Sequence, residues 1–151
     1  MPLESYVLLN PGPVNVSPRV RDAFRNAPDL CHREPEAGEL LQSIRRRLTA
    51  CFGGDEYTAA LLTGSGTAAV EAMIASGVVA GPLLVVNNGV YGQRMADMAR
   101  AHDIAVVEVR SGWAEPLALP PLEEALRANP AIEAIALVHH ETTTGLLNPV
   151  R

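Results

Sequence analysis

Lysine is missing from this sequence altogether: all 12 basic residues are arginine. A reaction that runs through a lysine amine, as a Schiff-base former or as a movable base, cannot be completed by these residues alone. Cysteine is nearly as scarce. Cys31 and Cys51 have no metal-ligand spacing, which excludes a disulfide-dense secreted scaffold and points to a reducing, cytoplasmic setting. Excess positive charge is absent too. Seventeen acidic residues against 12 basic ones give a formal net charge of −5 with no basic block, so neither nucleic acid nor an anionic membrane is an expected partner. No apolar run reaches membrane-spanning length, and Met1-Pro2-Leu3-Glu4-Ser5 lacks the basic start of a secretory signal. What is present is ordinary for a globular domain: 151 residues, 48% hydrophobic and 19% charged.

Helices and strands alternate along most of the chain. Leu8-Leu9-Asn10-Pro11-Gly12-Pro13 reads as an extended arm with a rigid turn. Ser17-Pro18, an N-cap followed by proline, predicts a short helix to about Asn26. A second helix is predicted from Glu36 to Phe52, with Leu40, Leu41, Ile44, Leu48 and Cys51 at helical spacing and Gly53-Gly54 as its stop. The Cys51 thiol is expected to be buried on that face. Further on, strands are predicted at Tyr57–Thr63, Leu83–Asn87, Ile104–Val109 and Ile132–His139, and helices at Thr67–Val79, Tyr91–Ala101 and Pro120–Asn129. Short, nearly uncharged strands separated by helices imply an α/β fold: a mostly parallel sheet with flanking helices.

Three motifs fall where such sheets bind ligands, at the strand C-termini. Gly64-Ser65-Gly66-Thr67 lies between an apolar run and a helix, so its backbone N–H groups, hydroxyls and helix dipole can seat a phosphate; a plain joint capped by Ser65 or Thr67 is the competing reading. Gly64-x-Gly66-x-x-Ala69 also fits a dinucleotide fingerprint, but the next strand ends in Asn87-Asn88-Gly89 and offers no carboxylate for a ribose. Tyr91 follows that strand end and can either stack on a flat heteroaromatic ligand or close the next helix against the sheet. Arg94, one turn on, can face the site or form a structural ion pair, and the structural role is the one expected. His139-His140-Glu141-Thr142-Thr143-Thr144-Gly145 gathers imidazoles, a carboxylate and hydroxyls after an apolar strand. Its threonines can simply extend the strand, and its adjacent histidines point to opposite faces, which disfavours zinc. Cys31-His32 lacks an orienting third group, so nucleophilic catalysis is not expected there.

Together these residues resemble the class V aminotransferases, pyridoxal-phosphate enzymes of fold type I. The resemblance runs from Leu8 to Arg151. It is carried by Asn10-Pro11-Gly12-Pro13, Cys31-His32-Arg33-Glu34-Pro35-Glu36, Thr63 to Ala72, Asn88 to Arg94 and, above all, His139 to Pro149. Glu141-Thr142-Thr143-Thr144-Gly145-x-Leu147-Asn148-Pro149 looks closest to the branch that transaminates 2-aminoethylphosphonate with pyruvate. The branches acting on alanine or serine with glyoxylate or pyruvate tend to carry serines there.

The resemblance implies roles for particular residues. Ser65, Gly66 and Thr67 would hold the phosphate of pyridoxal 5'-phosphate, Tyr91 would stack on its ring, and Thr142 would hydrogen-bond its phenolic oxygen. Pro11, Gly12 and Pro13 would lie near the substrate entrance. It implies an arm, short helix and loop over residues 1–35, and over 36–151 the first part of the cofactor-binding large domain. It also implies small-molecule substrates and a homodimer at full length. The family's Schiff-base lysine, its ring-nitrogen aspartate and its carboxylate-gripping arginine have no counterpart up to Arg151, so an incomplete enzyme is expected. A phosphate-ligand or interaction module complete in itself is the rival from another class. Against it, Asn148-Pro149-Val150-Arg151 starts a connection that leaves the last strand uncovered, and such a half-sheet alone is expected to be poorly soluble or molten.

Overall fold

The computed structural model describes residues 7–150, in two compact units divided between Leu61 and Leu62. The first residues of the expected arm, 1–6, and Arg151 at the far end of the expected large-domain segment lie outside the described residues.

In the first unit, the arm bends at Asn10–Pro13, where the Leu8 amide donates to Asn15 Oδ1 (2.6 Å). Helix α1 (Pro18–Arg25) starts as predicted: Ser17 caps it by accepting from the Val20 amide, and proline fills its first turn. Helix α2 (Pro35–Phe52) ends at Gly53, whose amide and that of Gly54 both donate to the Thr49 carbonyl. The apolar stripe of α2 is present but stays largely in solvent, with Leu40 50% and Leu41 43% exposed. Cys51 is exposed as well, contrary to the buried state its spacing predicts. The reason is one of supply. A unit of two helices and an irregular arm has no sheet on which to lay that stripe, and in α2 only Ala37 is buried.

The second unit contains the sheet. After α3 (Gly66–Gly77) come β1 (Leu83–Asn87), α4 (Val90–Ala101), β2 (Val106–Arg110), α5 (Leu119–Ala128), β3 (Ala134–Ala136) and the hairpin pair β4 (His140–Glu141) and β5 (Leu146–Leu147). The order β2-β1-β3 is parallel throughout, with Leu83 facing both Val106 and Ala134. Alternate residues of β1 go to opposite faces, as a pleat requires. Leu83 and Val85 pack with Ile74, Val78, Ala96 and Ala99 beneath α3 and α4. Leu84 and Val86 pack with Val109 and half-buried α5 residues such as Leu122, Ala125 and Leu126. Because both faces are covered, all five residues of β1 are buried, which is why this strand reads as an unbroken apolar run.

Three strand predictions change. Residues 57–63 form no strand and pair with none of β1, β2 or β3. β2 begins two residues later than predicted because Asp103 turns the chain with a positive φ of 58° and Ile104 donates its amide back to Ala99. β3 stops at Ala136; residues 137–139 leave the sheet, and His140–Glu141 pair antiparallel with Leu146–Leu147. The start of β3 is tied to the start of β1 by Glu133, whose Oε2 accepts from the amides of Val79, Ala80 and Gly81 (3.0, 2.8 and 2.8 Å). Those three N–H bonds hold its carboxyl below the usual carboxylate range.

Candidate functional site

The strand order creates the site. The chain leaves β1 toward β2 and later returns to the other side of β1 as β3, so the connections after β1 and β3 diverge at the strand C-termini. A crevice of this kind is where open α/β sheets bind ligands. Into it come Asn87-Asn88-Gly89, the first turn of α4, and the hairpin that follows β3.

That hairpin is built on Glu141 and Gly145. The Thr144 and Gly145 amides donate to the Glu141 carbonyl (3.2 and 2.8 Å), and Gly145 takes the positive φ of 75° that closes the turn. The threonines therefore make a tight turn instead of extending a strand. Asn148 anchors the return: its amide donates to the His139 carbonyl (2.7 Å) and its Nδ2 to the Val138 carbonyl (2.7 Å). Asn88 and Asn148, both buried, hydrogen-bond reciprocally, Asn88 Nδ2 to Asn148 Oδ1 at 2.8 Å and Asn148 Nδ2 to Asn88 Oδ1 at 3.3 Å. Two buried amides that satisfy each other lock the hairpin onto the end of β1.

Glu141 is a further buried polar group here, with 0% exposure. Its Oε2 accepts from the Tyr91 amide (3.0 Å), and its Oε1 from the Thr143 amide (3.2 Å) and hydroxyl (2.6 Å). A carboxylate at the first turn of α4 also meets the positive end of that helix. Gly89 makes room for it, since a Cβ there would stand 2.5 Å from Glu141 Cγ. Gly92 is similarly constrained: its Cβ would lie 2.9 Å from the Val86 carbonyl oxygen and from Asn87 Cα.

Tyr91 is 39% exposed, and the Arg94 guanidinium lies 5.2 Å from its ring centroid. Arg94 thus takes a cation–π contact over the ring where the sequence suggests a structural role. Thr142 is half-buried in the hairpin turn. At the head of α3, Ser65 is the N-cap, its Oγ accepting from the Ala68 amide (3.3 Å). Gly66 and Thr67 follow as the first two helical residues, whose amides have no partner within the helix. A Cβ on Gly66 would meet nothing within 4 Å. Further along the helix, Ile74 packs against Leu83 and Val85 of β1. Pro11, Gly12 and Pro13 are exposed in the bend of the arm, in the first unit.

A charged network borders the crevice. Glu108 on β2 accepts from Asn87 Nδ2 (3.0 Å) and pairs with Arg110 (2.8 Å) and Arg100. Burial pushes its carboxyl up, but the hydrogen bonds from Asn87, Arg100 and Arg110 outweigh this and bring it down to about 2. His139 and His140 are exposed, and among the described residues no group of three or more His, Cys, Asp or Glu side chains is placed to hold a metal. Nor is any helix among them long and apolar enough to cross a membrane.

Sequence reasoning singles out Tyr91 and Thr142 but gives no individual role to Glu141, Asn88 or Asn148, the residues that bind the two segments together. The available signal was polarity out of place: asparagines and a glutamate directly after apolar strands.

No family model matches the chain. Curated relatives do. A 2-aminoethylphosphonate–pyruvate transaminase from Vibrio vulnificus is 43% identical over 148 residues, and one from Bacillus cytotoxicus 40% over 148; each match covers 96% of this chain and 40% of the relative. A bifunctional phosphonoacetaldehyde hydrolase/aminoethylphosphonate transaminase from Clostridioides difficile is 40% identical over 154 residues, covering 100% of this chain and 24% of the relative. The chain thus spans about two fifths of the length of the single-activity relatives. Among solved structures, alanine–glyoxylate aminotransferase from Nostoc sp. superposes with a TM-score of 0.82 at 33% identity, over 100% of this chain and 40% of that one. Ureidoglycine–glyoxylate aminotransferase from Bacillus subtilis superposes with a TM-score of 0.87 over 99% of this chain and 38% of that one; at 22% identity it shows the fold. The chain thus matches a part of these aminotransferases in sequence and in fold, and the expected α/β fold with a parallel sheet is present.

Proposed function

We propose that this chain is the N-terminal part of a pyridoxal-phosphate transaminase that moves the amino group of 2-aminoethylphosphonate to pyruvate, giving phosphonoacetaldehyde and L-alanine in phosphonate breakdown. Residues 36–151 form the first part of its cofactor-binding large domain, and residues 1–35 an arm, helix and loop. The observation that carries the reading is the Glu141–Pro149 hairpin, locked by Asn148 onto the strand-order crevice beside Tyr91. Identities of 40–43% to transaminases of this substrate pair support it.

The residues present fit the cofactor. Ser65, Gly66 and Thr67 offer amides, hydroxyls and a helix N-terminus with no side chain on Gly66 to obstruct a phosphate. Tyr91 has a partly exposed ring to stack on a pyridine, and Thr142 a hydroxyl to donate to a phenolic oxygen. Bound there, pyridoxal 5'-phosphate supplies an aldehyde for the substrate amine and an electron sink for the electrons released at the substrate carbon. This chain holds and orients. The proton-moving amine must come from residues other than these, since it has no lysine. Pro11, Gly12 and Pro13 border the substrate entrance. The assembled enzyme is a cytoplasmic homodimer acting on an amino donor and a 2-oxo acid.

One observation favours a second reading: the Nostoc structure, 33% identical, is an alanine–glyoxylate aminotransferase. A panel of amino donors offered to the full-length protein separates the two. Turnover with 2-aminoethylphosphonate and pyruvate well above that with alanine or serine and glyoxylate is expected. Background rates with the phosphonate beside good rates with alanine would overturn the assignment.

A further inference from the structure

Glu141 is the only charged residue buried among the described residues, and the roles above leave it without one. It belongs to no ion pair there, so its charge rests on hydrogen bonds and on the start of α4. Its bonding is two-sided. One oxygen holds the Tyr91 amide and the other holds the Thr143 amide and hydroxyl, with Thr142 between Glu141 and Thr143 in sequence. The side chain therefore sets the distance between the segment bearing the ring and the segment bearing the hydroxyl. Nothing else available does this in the same way. A glutamine can accept on one side only, because its amide nitrogen would face a backbone N–H on the other.

We propose that Glu141 is a positioning residue for the bound cofactor: its buried carboxylate fixes Tyr91 and Thr142 in mutual register, so that ring stacking and the phenolic-oxygen hydrogen bond form together. This rests on the cofactor reading above. Glu141 touches neither substrate nor cofactor and acts through its two neighbours.

The test uses the full-length protein and its E141Q and T143V variants. Three readouts are taken: affinity for pyridoxal 5'-phosphate, visible circular dichroism per bound cofactor, and hydrogen exchange of the Tyr91 amide without cofactor. E141Q is expected to bind pyridoxal 5'-phosphate about tenfold more weakly, the equilibrium equivalent of one buried donor left unmatched. Its dichroic band should change in shape, and Tyr91 should exchange faster. T143V, which removes one donor and leaves the carboxylate, should shift each readout in the same direction by less. General destabilisation would lower the melting temperature without altering the dichroism of the cofactor that is bound. If E141Q does not fold, T143V decides on the same three readouts. A wild-type protein that binds pyridoxal phosphate, with the folded variants keeping its affinity within about twofold and its dichroic band, overturns the proposal alone. A wild type that binds none overturns the cofactor reading and this proposal with it.

Discussion

Gly89→Ala tests the packing of the site directly. The added methyl would lie 2.5 Å from Glu141 Cγ and 2.6 Å from its Cδ and Oε2. The backbone at Gly89 is extended, φ 177° and ψ −171°, and open to alanine, so the cost is one of space. Glu141 cannot step aside, because it is fully buried and both its oxygens are engaged. Overpacking of this kind costs about 1–3 kcal/mol. Displacing the carboxylate from the Tyr91 amide leaves a part-buried donor unmatched, at about 1–3 kcal/mol more. A total near 3 kcal/mol is expected from the midpoint of urea unfolding of the full-length protein. The same substitution made on Glu141→Ala meets none of those three atoms and should cost under about 1 kcal/mol, giving a coupling of about 2 kcal/mol across the cycle. Equal penalties in the two backgrounds would refute the reasoning, since the methyl would then be colliding with something else.

Glu108→Gln should flatten the acid limb of the stability curve. The folded carboxyl is held at about 2, below its ordinary value, so its contribution is complete above the unfolded value and drains away as pH falls toward 2. With both arginine partners about half exposed, that contribution is on the order of 1–2 kcal/mol, and urea midpoints between pH 6 and pH 3 would reveal it. Ser65→Ala removes the cap of α3 and should lower stability by about 1 kcal/mol while weakening pyridoxal phosphate binding; unchanged affinity by titration would remove Ser65 from the phosphate seat. Expressed alone, the 151 residues should bind a hydrophobic dye and lack near-ultraviolet dichroism, because Phe24, Phe52, Leu9 and Val79 are each more than 80% exposed. A sharp cooperative melt from a soluble monomer would contradict this.

The helices were legible because their signals are local. Ser17-Pro18 and Gly53-Gly54 mark ends by backbone chemistry that needs no distant partner. The strand Leu83–Asn87 was equally plain, since burial on both faces demands an apolar run. Tyr57–Thr63 and the far half of Ile132–His139 misled for one shared reason: apolar composition permits a strand, but a partner edge creates it, and edges are assigned by the whole topology. Cys51 misled because periodicity says which face is apolar and not whether anything covers it. The site was half visible. Hydroxyls and an aromatic at strand ends suggested a ligand, yet the residues that unite them act across long stretches of chain, which no window of sequence displays.

Those long stretches carry a consequence in time. Asn88 waits for a partner 60 positions further on, and the Tyr91 amide for one 50 positions further on. At about 5–20 residues per second of synthesis, roughly 3–12 s pass between the making of Asn88 and the making of Asn148. Throughout that interval Asn88 lacks the buried amide it finally faces. The crevice is thus the last part of this region that a growing chain can finish. A ribosome that stalls anywhere between α4 and the hairpin leaves the end of β1 without the segment that closes over it.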